Sequence, residues 1–338
     1  MYYLYSCVSG SLEIGIVYGG ILQGYPLWKV LLLGLAYQIG NMVPIPCTLS
    51  KKERCLGIAV LIALWGVRYS SSNAVISYWC LVGIIIILSG LIQSVRTGFS
   101  FAGEKWKKRL FRVLGFGTAL FYGIDPEICV MSTSILMVLT EFFIRKYIES
   151  EKYCALNGMH INRTMLFHQI HYFVYAYSMI GLACGLVQYN EFSVIYFVAS
   201  WLTYLMTEPI LKRFGHRKCL WYLTVGHVML AALLIFTSYA AVKGSILFFL
   251  LWILSGFGGG TVFCIKPVEQ ERGGNISAES WTLSENLGHV LGSLTACIWV
   301  GFGMEAALLP AVGAGFAILT VFSTAAKGEK FKSKLSNY

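Results

Sequence analysis

Twelve times along the chain, about twenty mostly apolar residues run on before charge, proline, glycine or asparagine interrupts them. An α-helix rises 1.5 Å per residue, so a run of that length crosses the roughly 30 Å hydrocarbon core of a bilayer. The runs lie near 2–23, 27–47, 55–73, 75–95, 110–124, 127–145, 164–188, 192–211, 219–241, 244–265, 281–303 and 305–325. The fifth is short, and Arg68 interrupts the third. With 57% hydrophobic and 12% charged residues and a mean hydropathy of +0.68, the chain carries half the charge of a soluble domain, where about 25% is usual. Lipid is its natural solvent. The fold class expected is an all-α polytopic membrane protein with twelve transmembrane helices.

The basic residues set the orientation. In a soluble protein a net charge of +10 would point to nucleic acid. Here the cations sit in short connections, and no nucleic-acid partner is expected. With both termini inside, 23 of the 26 Lys and Arg fall on the cytoplasmic side, and only Lys29, Arg68 and Lys243 fall outside. Miscounting by one helix would scramble that asymmetry, which is the positive-inside pattern. The expected location is the plasma membrane, multi-pass, with both termini cytoplasmic. The N-terminus "MYYLYSCVSG" has no basic leader of the kind a cleaved signal peptide carries. The ten cysteines form no CxxC pair and mostly fall inside apolar runs, so they read as small core residues, with neither zinc nor disulfides implied.

Two connections echo each other six segments apart. "PIPCTLSKKERCLGIAV" follows the second run and "EPILKRFGHRKCLWYLT" the eighth. Each has a proline near the end of one helix, then a basic turn, then Cys-Leu opening the next. The echo divides the chain into six-helix bundles at 1–145 and 164–325, a cytoplasmic linker at 146–163 and a cytoplasmic tail at 326–338. Secondary transporters are commonly built from such repeats.

The stretch "ILKRFGHRK" resembles the loop motif of the major facilitator superfamily, Gly-x3-Asp-Arg-x-Gly-Arg-Arg. Arg213, Gly215, Arg217 and Lys218 match the basic and glycine positions, Lys212 replaces the acidic one, and Glu208 stands at the first glycine. This version is closest to the nucleoside:proton symporter and lactose-permease-like branch; the first-half loop, "LSKKER", lacks the glycine. The resemblance implies a major-facilitator-like fold, and a loop that latches one access state. Gly215 permits the tight turn, and the cations can reach the carbonyl end of helix 8 or a neighbouring acidic group. The same residues also serve orientation.

A charge at mid-bilayer costs about 2.5–3.5 kcal/mol or more unless it finds a partner or water. Glu13 lies mid-way along the first run, with Ser6 and Ser9 on its face at helical spacing. The seventh run carries His168, His171, Tyr175 and Ser178 in a similar stripe. The resemblance makes helices 1 and 7 equivalent and cavity-lining, so it implies solute contact for Glu13, His168, His171 and Tyr175. The bland alternative is that the histidines bond loop carbonyls. In the eleventh run Glu285 and His289 are one turn apart, close enough to share a proton or simply to lock packing. Gly288 and Gly292 there form a small face that admits another helix. Gln38 and Asn41 can bond solute or a neighbouring helix. His227 reads as a lone packed histidine. "SGFGGGT", 255–261, is loose enough for a helix to bend and lacks the lysine of a phosphate loop.

The function expected is secondary transport of a small solute by a monomer. Coupling to protons would use Glu13, Glu285 and His289, and the tilt is toward a sugar- or nucleoside-like solute. The branch it resembles commonly has an ionisable residue in helix 10. The tenth run has none, so coupling falls to runs 1, 7 or 11. A proton-antiport exporter and a degenerate transporter acting as a sensor are the alternatives. An intramembrane enzyme fits poorly: "HQIH" lacks the glutamate of a His-Glu-x-x-His cluster, and no catalytic residue, metal or cofactor is expected.

Overall fold

The computed structural model describes residues 2–42, 49–98, 105–143, 160–214, 218–271 and 277–335. These form helices, with no strand among the described residues. Each of the twelve apolar runs contains helix, and among the described residues seven stretches are long and apolar enough to cross a membrane. The chain divides into two compact units, residues 1–158 and 159–338.

The first unit holds α1 (Tyr2–Leu22), α2 (Leu27–Met42), α3 (Lys51–Ser70), α4 (Ala74–Gly98), α5 (Lys105–Thr118) and α6 (Pro126–Phe143); a 3-10 turn, Ala119–Gly123, prolongs α5. The second holds α7 (Arg163–Leu186), α8 (Glu191–Phe214), α9 (Cys219–Val242), α10 (Leu247–Gly259), α11 (Ile265–Glu271), α12 (Ala278–Gly301) and α13 (Leu309–Leu335). The helix ends follow local chemistry. Ser50 caps α3 in a capping box with Glu53, and Asn162 caps α7 by accepting from the Met165 N–H at 2.9 Å. After α1 the chain turns through Gly24 at φ +71°: the Gly24 N–H reaches the Ile21 carbonyl and the Tyr25 N–H the Gly20 carbonyl. That is a Schellman ending, which favours glycine.

Within each unit the same neighbours recur six segments on. In the first, α1 packs on α5 and α6, α4 on α2 and α3, and α3 on α6. In the second, α7 packs on α12 and α13, α10 on α8 and α9, and α9 on α13. The α1–α5 pair runs parallel: Gly115 sits against the Cys7 carbonyl, Gly10 against the Arg112 carbonyl, and Gly15 against the Tyr122 ring. The α7–α12 pair is parallel too, with Gly288 against Gln169 and the Leu166 carbonyl and Gly292 against Phe173 and the Ile170 carbonyl. At Gly10, Gly115, Gly288 and Gly292 a Cβ would collide with backbone, and at Gly15 with the Tyr122 ring, so glycine sets how closely the helices approach.

Several segment ends differ from the sequence expectation. The third begins at Lys51 and ends at Ser70, which brings Arg54 inside the helix and leaves Arg68 in its last turn. Arg54 is buried, bridges to Glu141 of α6 at 2.8 Å and donates to the Leu49 carbonyl at 2.8 Å. At the other end Arg68 bridges to Glu127 at 2.8 Å and donates to the Ser77 carbonyl at 2.6 Å. Two arginines counted from the sequence among the orienting charges thus clamp α3 to α6. The tenth segment does not stop at 265: α10 passes through a 3-10 turn, Gly260–Cys264, into α11, which carries the buried Glu269. The bend falls in the glycine-rich stretch, where Gly256 packs against Ser200 and Thr203 of α8 and Gly258 against Leu230 of α9. The helix of the twelfth run, α13, continues past 325 and through the expected start of the tail to Leu335. None of the eight described cysteines forms a disulfide.

Candidate functional site

In the first unit the polar face of α1 is wholly buried: Ser6, Ser9 and Glu13 are 1%, 0% and 3% exposed. Glu13 meets a cation there. Arg112 of α5 donates from Nη2 to Glu13 Oε2 at 2.7 Å, and Gln38 of α2 donates from Nε2 to Oε1 at 3.0 Å. One turn away the Tyr37 hydroxyl donates to the Ser9 carbonyl at 3.0 Å and lies 2.6 Å from the Ser9 hydroxyl. Arg96 of α4 donates to the Ser9 hydroxyl at 3.2 Å and to Gln93 Oε1 at 3.0 Å. The charges of Glu13, Arg112 and Arg96 all act on Tyr37. Asn41, one turn beyond Gln38 and Tyr37, is buried with its Oδ1 lacking a hydrogen bond.

The sequence reading assigned Arg112 to a cytoplasmic loop. The correction is that it belongs to α5 and neutralises Glu13. A signal was present: residue 112 lies inside the fifth run as drawn from the sequence, so it was due a partner by the same reasoning as Glu13.

In the second unit three imidazoles cluster. His168 and His171 come from α7 and His227 from α9, with ring centroids 4.7 Å (168–171), 5.2 Å (168–227) and 6.1 Å (171–227) apart. The tautomers follow from the partners. The Leu223 carbonyl, 2.9 Å from His227 Nδ1, can only accept, so that nitrogen carries the proton. His227 Nε2 then accepts from His168 Nδ1 at 2.9 Å. Thr261, which donates to the Gly258 carbonyl at 2.7 Å, sits 3.0 Å from His227 Nδ1. His227 is therefore not a lone packed histidine but the middle of a directed chain. His171 is 1% exposed, and neither ring nitrogen has a hydrogen-bond partner. Tyr175 packs one turn beyond it, ring centroids 6.2 Å apart.

Gln169 draws α12 in: His289 Nε2 donates to its Oε1 at 3.0 Å, and the His289 ring lies 4.1 Å from that of Phe173. Glu285 is one turn earlier on α12 and half-buried. No group of three His, Cys, Asp or Glu among the described residues is arranged to hold a metal ion.

Of the loop motif, Lys212 and Arg213 form the last turn of α8, and Lys218 precedes α9. Gly215 and Arg217 lie outside the described residues. Lys212 bridges to Glu208 on its own helix at 2.9 Å. An exposed i, i+4 pair of this kind contributes little stability, about 0.3–0.5 kcal/mol.

The architecture matches solved transporters along almost its whole length. The POT family transporter PepTSo superposes with a TM-score of 0.58 at 12% identity, over 98% of this chain and 98% of its own. The D-xylose-proton symporter superposes at 0.54 and 10% identity, over 95% and 96%. No family profile and no curated protein sequence matches the chain. At such low identity the likeness speaks for the fold: this is an all-helical, multi-pass membrane protein with the major facilitator fold.

Proposed function

We propose that the chain is a proton-coupled secondary transporter of a small polar solute, working by alternating access as a monomer in the plasma membrane. In this reading twelve helices span the bilayer as bundles at 1–145 and 164–325, with the linker 146–163, the tail 326–338 and both termini cytoplasmic. Glu208, Lys212, Arg213, Gly215, Arg217 and Lys218 form the gating loop. The observation that carries the reading is the Glu13–Arg112 pair in the first unit, its carboxylate buried and its guanidinium partly so. Desolvating two charges costs several kcal/mol that apolar side chains would avoid, so keeping them asks for a use. Protonation of Glu13 removes the counter-charge of Arg112 and frees the guanidinium; loss of the proton restores the pair. A carboxylate that alternates in this way links proton movement to the state of its neighbours.

Glu285 and His289 are the second unit's proton-coupling candidates. Gln38 and Asn41 in the first unit and His168, His171 and Tyr175 in the second supply hydrogen-bonding groups to the solute, with Glu13 both a contact and a proton carrier. A sugar- or nucleoside-like solute fits these groups, and the fold shared with a D-xylose-proton symporter supports coupling to protons.

The test is uptake of labelled sugars, nucleosides, sugar acids and sugar phosphates by proteoliposomes under an imposed pH gradient. Accumulation of one class is expected, with Glu13→Gln losing the gradient-driven component while downhill exchange persists. Gradient-driven accumulation that survives in Glu13→Gln removes the proton role from Glu13. If no solute moves, the transporter reading itself fails.

A further inference from the structure

The first unit's cluster has more positive than negative charge. Glu13 is the one carboxylate among the residues described around Tyr37, against the guanidiniums of Arg112 and Arg96. Arg112 takes that carboxylate. Arg96 has no carboxylate partner among the described residues: its Nη1 bonds go to the neutral Ser9 hydroxyl and Gln93 amide, and its Nε is buried without a partner.

Position sharpens the point. Arg96 lies two residues from the end of α4, beside Ser94, which accepts from the Leu49 N–H beyond the end of α2. A long cation at a helix end ordinarily snorkels outward to water. Arg96 turns inward instead, to a serine in the second turn of α1. A guanidinium held this way has geometry suited to an oxyanion.

Two further buried polar atoms lie at the same end of the cluster. Ser6 Oγ and Asn41 Oδ1 have no hydrogen-bond partner, and their residues are 1% and 5% exposed. Each is one turn from a residue of the Ser9–Tyr37 contact, in the direction that keeps them level across the antiparallel helices α1 and α2. Buried polar atoms are normally satisfied, so such atoms call for a partner. A serine hydroxyl can donate to an oxyanion, whereas an amide oxygen accepts only, so Asn41 calls for a donor.

We propose that Arg96, with Arg112, Ser6 and Asn41, binds the oxyanion of a hydroxylated solute such as a sugar acid or sugar phosphate. Asn41 takes an adjacent hydroxyl. This deepens the transport reading and rests on it for calling the ligand a solute.

The test is thermal unfolding of the purified protein in neutral detergent with gluconate, glucose 6-phosphate, inorganic phosphate, glucose, phosphatidylglycerol, or sodium chloride at matched ionic strength. At saturation gluconate or glucose 6-phosphate is expected to raise the midpoint by about 5 °C, and glucose and chloride to leave it unchanged. Arg96→Gln weakens the apparent affinity on the order of tenfold to a hundredfold. Arg96→Lys, which keeps the charge and loses the planar fork, falls between. It also carries the test if the glutamine variant does not fold. Lys243→Gln is the control and binds as the parent does. A shift as large with glucose, a shift that survives in Arg96→Gln, or no shift with any oxyanion overturns the proposal. A shift with phosphatidylglycerol alone gives the arginines to a lipid phosphate and also overturns it. Oxyanion binding without uptake in proteoliposomes keeps the site and removes the transporter reading. Uptake of an uncharged solute by a protein blind to oxyanions does the reverse.

Discussion

His171 keeps two ring nitrogens buried and unbonded while its neighbours His168 and His227 are satisfied in a chain. Each unmet buried polar group costs about 1–3 kcal/mol. Phenylalanine is close to histidine in size, so His171→Phe is expected to raise stability by about that amount while lowering solute uptake. Thermal unfolding and proteoliposome flux read the two effects separately, and a fall in stability would make the imidazole structural. The sequence exposed the polar residues themselves. Glu13, His168 and His171 stand out against apolar surroundings, because a polar group in lipid is expensive wherever it sits. Their partners were less legible. Arg112, Arg96 and His227 come from other helices, and spacing along one helix says nothing of which helix lies opposite. Arg112 and Arg96 were further hidden by their place at segment ends, where a cation also serves orientation.

The α3–α6 clamp shows how two elements can be held at both ends. From Arg54 to Arg68 and from Glu127 to Glu141 is the same fourteen residues, about 21 Å of helix axis, so both bridges form in one antiparallel register. They are not equivalent. Arg54 and Glu141 have 3% and 9% side-chain exposure, whereas Glu127 has 37%. Glu141→Gln leaves a buried guanidinium uncompensated and is expected to cost about 3–5 kcal/mol. Glu127→Gln, whose partner keeps its bonds to Ser77, is expected to cost about 1 kcal/mol or less. Thermal midpoints of the two variants check the order; equal losses would mean that the clamp does not depend on burial. The bend after α10 was legible in its glycines, because no other residue permits backbone approach on two sides. The clamp was not, since Arg68 looked only like an interruption.

At the scale of the chain, the succession of apolar runs carries the fold class, because length and hydropathy are read without knowing any neighbour. Which faces pack is another matter. α9 buries Leu230 and Leu234 and exposes Val228, Met229, Ile235 and Phe236. Both faces are equally apolar, since lipid and protein interior are alike to a leucine. The expected topology has its own check. Reporter fusions after residues 24 and 243 should report an outer location, and fusions after residues 50 and 218 an inner one. A reversed or irregular pattern would break the twelve-span arrangement.

The pairing of α1 with α5, and of α7 with α12 and α13, has a consequence for biosynthesis. As the ribosome delivers the chain, α1 enters the bilayer about a hundred residues before its main neighbour exists, and α7 waits longer still. During that interval Glu13 precedes Arg112 and His289 trails Gln169, so each early helix sits in lipid or against the insertion machinery with its polar face unmet. A nascent chain halted before α12 would leave the histidine-bearing helix stranded, an obvious mark for membrane quality control. Each half can mature only when its last segments arrive, and the first can do so while the second is still being made.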